Sequence, residues 1–329
     1  MLALPNATQP KATDEAEQIR CALRRCSVVT PGSNIVVDRI DRKLSSVWRV
    51  VVSDDSGKKK YIIKRAGAEK LRQPLLTRRQ AELLSSMAGS CVDLVYFQSL
   101  YVDYDADTGL LILKESDLPQ LSTYLTGFPL LQGLRGFPKL TSGIRRAGEW
   151  LRHWHAATRR TGNTSQALSR YIHSGGRSAD LCRLPNDTRQ AFVEAVETFP
   201  NDEVVTTHGD FTMFNILTDG QQISVIDPGV WEWRELTPCW DVCTFTHSLE
   251  SQLRLRRGSS LLARKETIED IQREFLHAYG DGSIENSRAY LICSAVRCFT
   301  YLDAEHNPAI AACRDCRLRD RLSALRRIV

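Results

Sequence analysis

Apolar and polar positions repeat with two different periods along this chain, and the change of period marks its architecture. Residues 13–26 (TDEAEQIRCALRRC) open on Thr and Asp with an acidic first turn and close on Arg24-Arg25. That charge order suits a helix and its dipole. Pro31-Gly32 breaks the chain, and from Ile35 the apolar residues fall into short strand-like runs. Residues 48–52 are predicted as a strand, 54–57 (DDSG) as a turn and 60–64 as the returning strand. A helix over 75–88 ends at Gly89, and two further strand-like runs, 94–102 and 110–113, flank a turn at 103–109. After Lys114 the period becomes helical. Residues 140–159 place Ile144, Ala147, Leu151, Trp154 and His155 at helical spacing, and a second helical run lies near 186–198, beyond a Gly175-Gly176 break. A compact β segment over 204–226 interrupts the helices, which resume from 240 to 329. The pattern predicts an α+β chain of two lobes. A polar tail at 1–12 precedes a small β-rich N-lobe at 13–115 and a larger, mostly helical C-lobe at 116–329, joined near 114–118.

Composition narrows the field without choosing within it. The chain has 329 residues, 42% hydrophobic and 25% charged, which supports a packed core, and its net charge of +5 permits anionic ligands without demanding nucleic acid. No compact block of basic and aromatic residues points to a nucleic-acid partner. The first residues lack the basic and apolar runs of a signal peptide, and no run of about 18 apolar residues free of charge occurs. A cytoplasmic protein without a membrane span is therefore expected, its ten dispersed cysteines being reduced thiols. Cys313 and Cys316 have metal-like spacing, but a second C-x-x-C is missing, so zinc is not expected.

The chemistry concentrates in 204–229, VVTTHGDFTMFNILTDGQQISVIDPG. An apolar run leads into His208-Gly209-Asp210, Asn215 follows five residues after Asp210, and a hairpin turning at Asp219-Gly220 leads to Asp227-Pro228-Gly229. Two carboxylates and an amide are thereby brought to one sheet edge. Phosphoryl transfer asks for oxygen ligands to Mg2+, which takes one or two carboxylates together with phosphate and water. Asn215 and Asp227 suit that role, leaving Asp210 to accept or orient the proton of an acceptor hydroxyl. Lys64 is the candidate phosphate-directed cation, and Glu82, 18 residues on in the following helix, is its candidate partner. His208 reads as a structural imidazole that hydrogen-bonds the loop. His153 and His155 read as packing or surface residues. Trp231 and Trp233 suit either stacking on a sugar ring or packing against the lobe.

These residues resemble the aminoglycoside phosphotransferase and choline kinase-like family, a branch of the protein-kinase-like fold. The resemblance spans about residues 40–250 and rests on His-x-Asp, four residues, Asn, then Ile-Asp-x-Gly, all present from His208 to Gly229. It implies that Asp210 is the catalytic aspartate, Asn215 and Asp227 the metal ligands, and Lys64 with Glu82 the nucleotide-clamping pair. It also implies that Asp241, after Trp240, braces the catalytic loop, and that ATP (or GTP) and Mg2+ are the cofactors, the adenine lying against the 114–117 connector with Glu115. One departure stands out: no glycine-rich loop covers the phosphates. The equivalent segment, 41–47, offers Ser45 and Ser46 instead.

The expected activity is transfer of the γ-phosphate to a hydroxyl of a small molecule or a sugar or glycan. Only 13 residues separate Asp227 from Asp241, without the Ala-Pro-Glu that ends a protein kinase's activation segment, so a protein substrate is disfavoured. An atypical protein kinase and a catalytically silent nucleotide-binding scaffold on the same fold are the alternatives. The acidic residues of 227–241 and the basic residues of 254–265 together do not read as a trap for a polycationic aminoglycoside.

Overall fold

Asp14 and Glu15 in the first turn and Arg24 and Arg25 in the last place favourable charges at both ends of α1 (Ala12–Arg25). The computed structural model describes residues 12–40, 45–66, 73–125, 130–173, 186–199, 203–229, 235–255, 265–280, 284, 287–302 and 323. The chain divides into two units, Met1–Ala88 with Ser99–Asp117, and Gly89–Gln98 with Leu118–Val329.

In the first unit β1 (Asn34–Ile40), β2 (Ser45–Asp54), β3 (Gly57–Ala66), β4 (Tyr101–Asp105) and β5 (Leu110–Lys114) form one antiparallel sheet in the order β1-β2-β3-β5-β4. Period-two alternation sends Trp48, Val50 and Val52 to one face with Tyr61 and Ile63, and α1 lays Ile19, Ala22 and Leu23 on them. Each such fully buried Leu or Ile contributes roughly 1.5–3 kcal/mol. At the β2–β3 turn Asp54 Oδ1 accepts the Ser56 N–H at 2.8 Å. The helix α2 (Gln73–Ser90) follows β3. The strand expected over 94–102 is shorter and later than its composition suggested. Regular pairing starts at Tyr101, because the Tyr96 carbonyl and the Gln98 N–H bond Ile223 of the second unit's hairpin instead, at 2.9 and 2.8 Å.

The second unit is mostly helical: α3 (Leu130–Thr158), α4 (Thr164–His173), α5 (Asn186–Glu197), α6 (Cys239–Leu255), α7 (Lys265–Tyr279) and α8 (Arg288–Leu302), with a 3-10 turn at Leu121–Leu125. Two small antiparallel pairs complete it, β6 (Val205–Thr206) with β9 (Glu235–Leu236), and the hairpin β7 (Ile216–Thr218) with β8 (Ile223–Val225). The α3 stripe Leu140, Ile144, Ala147, Trp150, Leu151 and Trp154 is buried, as its spacing predicts. Gly148 lets α3 meet α7: a Cβ there would stand 2.6 Å from the Phe275 carbonyl oxygen. A row of rings, Trp154, Trp150, Phe211, Phe245 and Phe275, joins α3 to α6 and α7, with successive centroids 6.3, 5.6, 5.6 and 4.2 Å apart. Phe211 belongs to the segment after His208-Gly209-Asp210, so this row seats that segment on the helical core. Among the described residues no helix is long and apolar enough to cross a membrane. The fold class is α+β, a small antiparallel sheet unit and a larger helical one.

Candidate active site

Gly209 makes the turn into Asp210 at φ +80°, and its missing side chain lets the Gly229 carbonyl oxygen come within 3.3 Å of where a Cβ would sit. The two ends of the motif are tied there: the Gly229 N–H donates to the His208 carbonyl at 2.7 Å. Between them the β7–β8 hairpin turns on Asp219, whose Oδ1 accepts the N–H groups of Gln221 and Gln222, both at 2.8 Å. Those donors hold the Asp219 carboxyl below its ordinary pKa. The hairpin sets Asn215 beside the strand that ends at Asp227, since the Ile226 N–H donates to the Asn215 carbonyl at 2.9 Å.

Asn215 Nδ2 donates to the Asp210 carboxylate and to the Asp210 backbone carbonyl, each at 2.9 Å. Its amide hydrogens are thus committed to Asp210, and Oδ1 remains as an oxygen donor. Asp227 has φ +51°, a left-handed conformation that costs a non-glycine residue on the order of 1 kcal/mol. That turn at the end of β8 re-aims the chain where the second carboxylate stands.

A buried polar network fixes the loop from behind. The Asp241 carboxylate, fully buried at the start of α6, accepts the His208 N–H at 2.6 Å and the Gly209 N–H at 2.9 Å. His155 Nε2, also fully buried, lies 3.2 Å from the same carboxylate and donates to it. His155 Nδ1 in turn accepts the Tyr279 hydroxyl at 3.0 Å. Burial pushes the Tyr279 phenol well above its ordinary pKa, so it stays protonated as that donor. The sequence reading placed His155 among packing or surface residues and did not find Tyr279. The available signal was a histidine on an apolar helix face beside buried Trp154, a position that requires a partner. His208 donates from Nε2 to the Ile226 carbonyl at 3.0 Å. Burial lowers its pKa against the pull of Asp241, Asp210 and Asp227, so the ring is neutral and serves the loop's structure.

Asp210, Thr212, Phe214 and Asn215 form one wall of a cavity of about 280 Å3, whose other walls come from α6 and from Arg297 of α8. The family resemblance implies an acceptor site formed by about 162–200 and 245–329, and most of the α6 wall and Arg297 of α8 fall in the second range, but no individual residue of these walls is predicted, because nothing in their spacing links them to 204–229. Trp231 and Trp233 lie outside the described residues, as do Cys313 and Cys316.

The remaining candidates belong to the first unit. Lys64 sits on β3 in register with Val47 of β2 and Leu111 of β5. Glu82 is exposed on α2 and accepts Arg78 Nε at 3.1 Å, one turn away. Ser45 and Ser46 begin β2, paired in register with Ala66 and Arg65, while 41–44 lie outside the described residues. Glu115, just after β5, accepts Arg49 Nε at 2.8 Å and donates its N–H to the Lys60 carbonyl at 2.9 Å, whereas its Oε2 is buried without a hydrogen-bond partner among the described residues.

Comparison with known proteins defines the fold. No protein-family model matches the sequence, and no curated protein matches it either. Solved structures do match over nearly the whole chain. A glucosamine kinase in complex with glucosamine, ADP and inorganic phosphate is similar at TM-score 0.60 and 14% identity, over 95% of this chain and 86% of that one. A Ralstonia eutropha protein whose assignment as an aminoglycoside phosphotransferase is itself provisional gives TM-score 0.56 and 14% identity, over 94% and 96% of the two chains. A choline kinase from Cryptosporidium parvum gives TM-score 0.53 and 9% identity, over 94% and 96%. The chain has the protein-kinase-like fold that these structures share.

Proposed function

We propose that this protein is a phosphotransferase that moves the γ-phosphate of ATP, or of GTP, to a hydroxyl of a small molecule or sugar. One observation carries the proposal: Asp210 faces a cavity lined by polar side chains, on a loop whose backbone N–H groups end on the buried Asp241 carboxylate. A general base must be positioned before it can act, and this loop is held at both its backbone and its side chain. Asp210 orients the acceptor hydroxyl and takes its proton as that oxygen bonds to phosphorus, and the bond from phosphorus to the leaving nucleoside diphosphate breaks. The Asn215 Nδ2 hydrogen bond keeps the Asp210 carboxylate in place for that transfer.

The donor set fits a divalent cation. Asn215 Oδ1 and the Asp227 carboxylate are hard oxygen ligands, and the bond from the Ile226 N–H to the Asn215 carbonyl draws the two stretches of backbone that carry them together. Bound there, Mg2+ supplies charge neutralisation on the phosphates. Lys64 is proposed as the cation on the nucleotide phosphates and Glu82 as its partner. Ser45 and Ser46 are proposed as phosphate contacts, and Glu115 as part of the adenine site. The kinases of this fold that were found act, by their descriptions, on glucosamine or choline, which supports an alcohol acceptor of that size range.

The test is steady-state transfer and nucleotide binding by Asp210→Asn beside wild type. Transfer is expected to fall by about 100-fold to 10,000-fold, the usual contribution of a positioned base. Nucleotide affinity should hold. Retained turnover would remove Asp210 from the reaction, and a wild type that binds nucleotide without transferring would favour the silent scaffold.

A further inference from the structure

The cavity beside Asp210 has a charge pattern that phosphoryl transfer itself does not demand. Asp210 is the one carboxylate among its described lining residues. The opposing charge is Arg297 of α8, a residue only 5% exposed whose guanidinium carbon lies 5.2 Å from the Trp240 ring centroid. Burying a cation is costly, and an aromatic face offsets part of that cost. The packing on Trp240 also restricts the side chain, which lines the cavity wall. Arginine held in this way is suited to planar or multi-oxygen anions.

His247 of α6 also lines the cavity, its Nε2 2.8 Å from the Ser294 hydroxyl. Thr244, Ser248, Ser251 and Gln252 of α6 contribute hydroxyls and an amide, and Phe214, 43% exposed, offers a ring face from the loop. Hydroxyls, an amide and one exposed ring suit a polyhydroxylated body. A cationic acceptor would meet Arg297, and the one carboxylate among the described lining residues is Asp210, which must keep its lone pairs for the reacting hydroxyl.

Resting on the phosphotransferase reading, we propose that the acceptor is a monosaccharide-sized hydroxy compound that also carries an anionic group, a carboxylate or a phosphate, bound by Arg297 while a hydroxyl reaches Asp210. The size limit follows from the cavity of about 280 Å3. It lies just below the range of about 300 to 1,000 Å3 that is common for ligand sites.

The experiment measures binding by calorimetry on the full chain with Mg2+ and a non-hydrolysable ATP analogue, using pairs matched in size. Gluconate is set against sorbitol for the carboxylate, glycerol 3-phosphate against glycerol for the phosphate, and glucosamine serves as the cationic probe. At least one anion should bind tenfold or more tightly than its neutral partner and than glucosamine, and the tighter of the two anions identifies the source of the charge. Arg297→Met should erase the anion-to-neutral ratio. If that variant does not fold, Arg297→Lys, which keeps the charge without the fork, should reduce the ratio. Neutral or cationic probes binding as well as both anions, neither anion binding, or a ratio that survives Arg297→Met would overturn the proposal. Binding of the ATP analogue in the same samples reports on the phosphotransferase reading separately, since the anion titrations can be run without it.

Discussion

Asp105 and Asp241 are buried carboxylates, one in each unit, and they are satisfied in opposite ways. Asp105, at the end of β4, takes a two-pronged ion pair from Arg25 of α1, with Nε at 2.9 Å and Nη2 at 2.6 Å, and a hydroxyl from Thr108. Asp241 takes two backbone N–H groups and the Nε2 of His155. The first arrangement fastens a helix to a sheet. The second fixes the path of a loop, because its donors are the backbone N–H groups on either side of the His208 Cα. A carboxylate paired with a side chain stabilises a fold; one paired with successive backbone amides shapes a site.

The comparison is broken most severely at Asp210, the group that the Asp241 arrangement holds in place. Asp210→Asn should remove transfer as described above without a large loss of stability, as read by turnover and thermal unfolding together. Next in size is Asp241→Ala. It strands two buried N–H donors and His155, at a cost of about 1–3 kcal/mol for each unsatisfied group, and should lower both melting temperature and turnover. Asp105→Asn sharpens the contrast: melting temperature should fall by a few degrees while turnover stays as in wild type. A turnover defect in Asp105→Asn, or none in Asp241→Ala, would erase the distinction.

Acid adds a second separation. The Arg25 hydrogen bond holds the Asp105 carboxyl below its ordinary pKa. A depressed folded value means that the stabilisation is complete above the unfolded pKa, near about 3.9, and is lost as pH falls through the lower folded value. The stability gap between wild type and Asp105→Asn in urea unfolding should therefore be full at neutral pH and close in strong acid. A gap that widened with acid would contradict the ion pair. The smallest effect is expected of Tyr279→Phe, which removes only the hydroxyl that His155 accepts. It should lower turnover a few-fold with the nucleotide KM unchanged, and a change in KM alone would detach Tyr279 from the loop.

The sequence was legible where chemistry and local geometry coincide. His208 to Gly229 is contiguous, so its hairpin, its loop and the meeting of Asn215 with the strand before Asp227 follow from turn residues and spacing. Asp241 was reachable by resemblance because it lies near that motif. His155 and Tyr279 are 124 residues apart, and only packing of α3 on α7 brings them together. Arg297 and the polar side chains of α6 reach the cavity by the same kind of long-range packing, for which one sequence carries no signal. Helix α3 begins at Leu130 rather than at 140, carrying Pro138 inside it. Gly133, Gly136 and Pro138 are poor helix formers, and their propensity hid the first turns.

The most direct measurement is nucleotide affinity with and without Mg2+, in wild type and in Asp227→Ala. The account expects ATP or GTP binding that requires Mg2+ and weakens at least about tenfold, or 1.4 kcal/mol, when the Asp227 carboxylate is removed. Absence of nucleotide binding, or binding indifferent to both Mg2+ and Asp227, would contradict it.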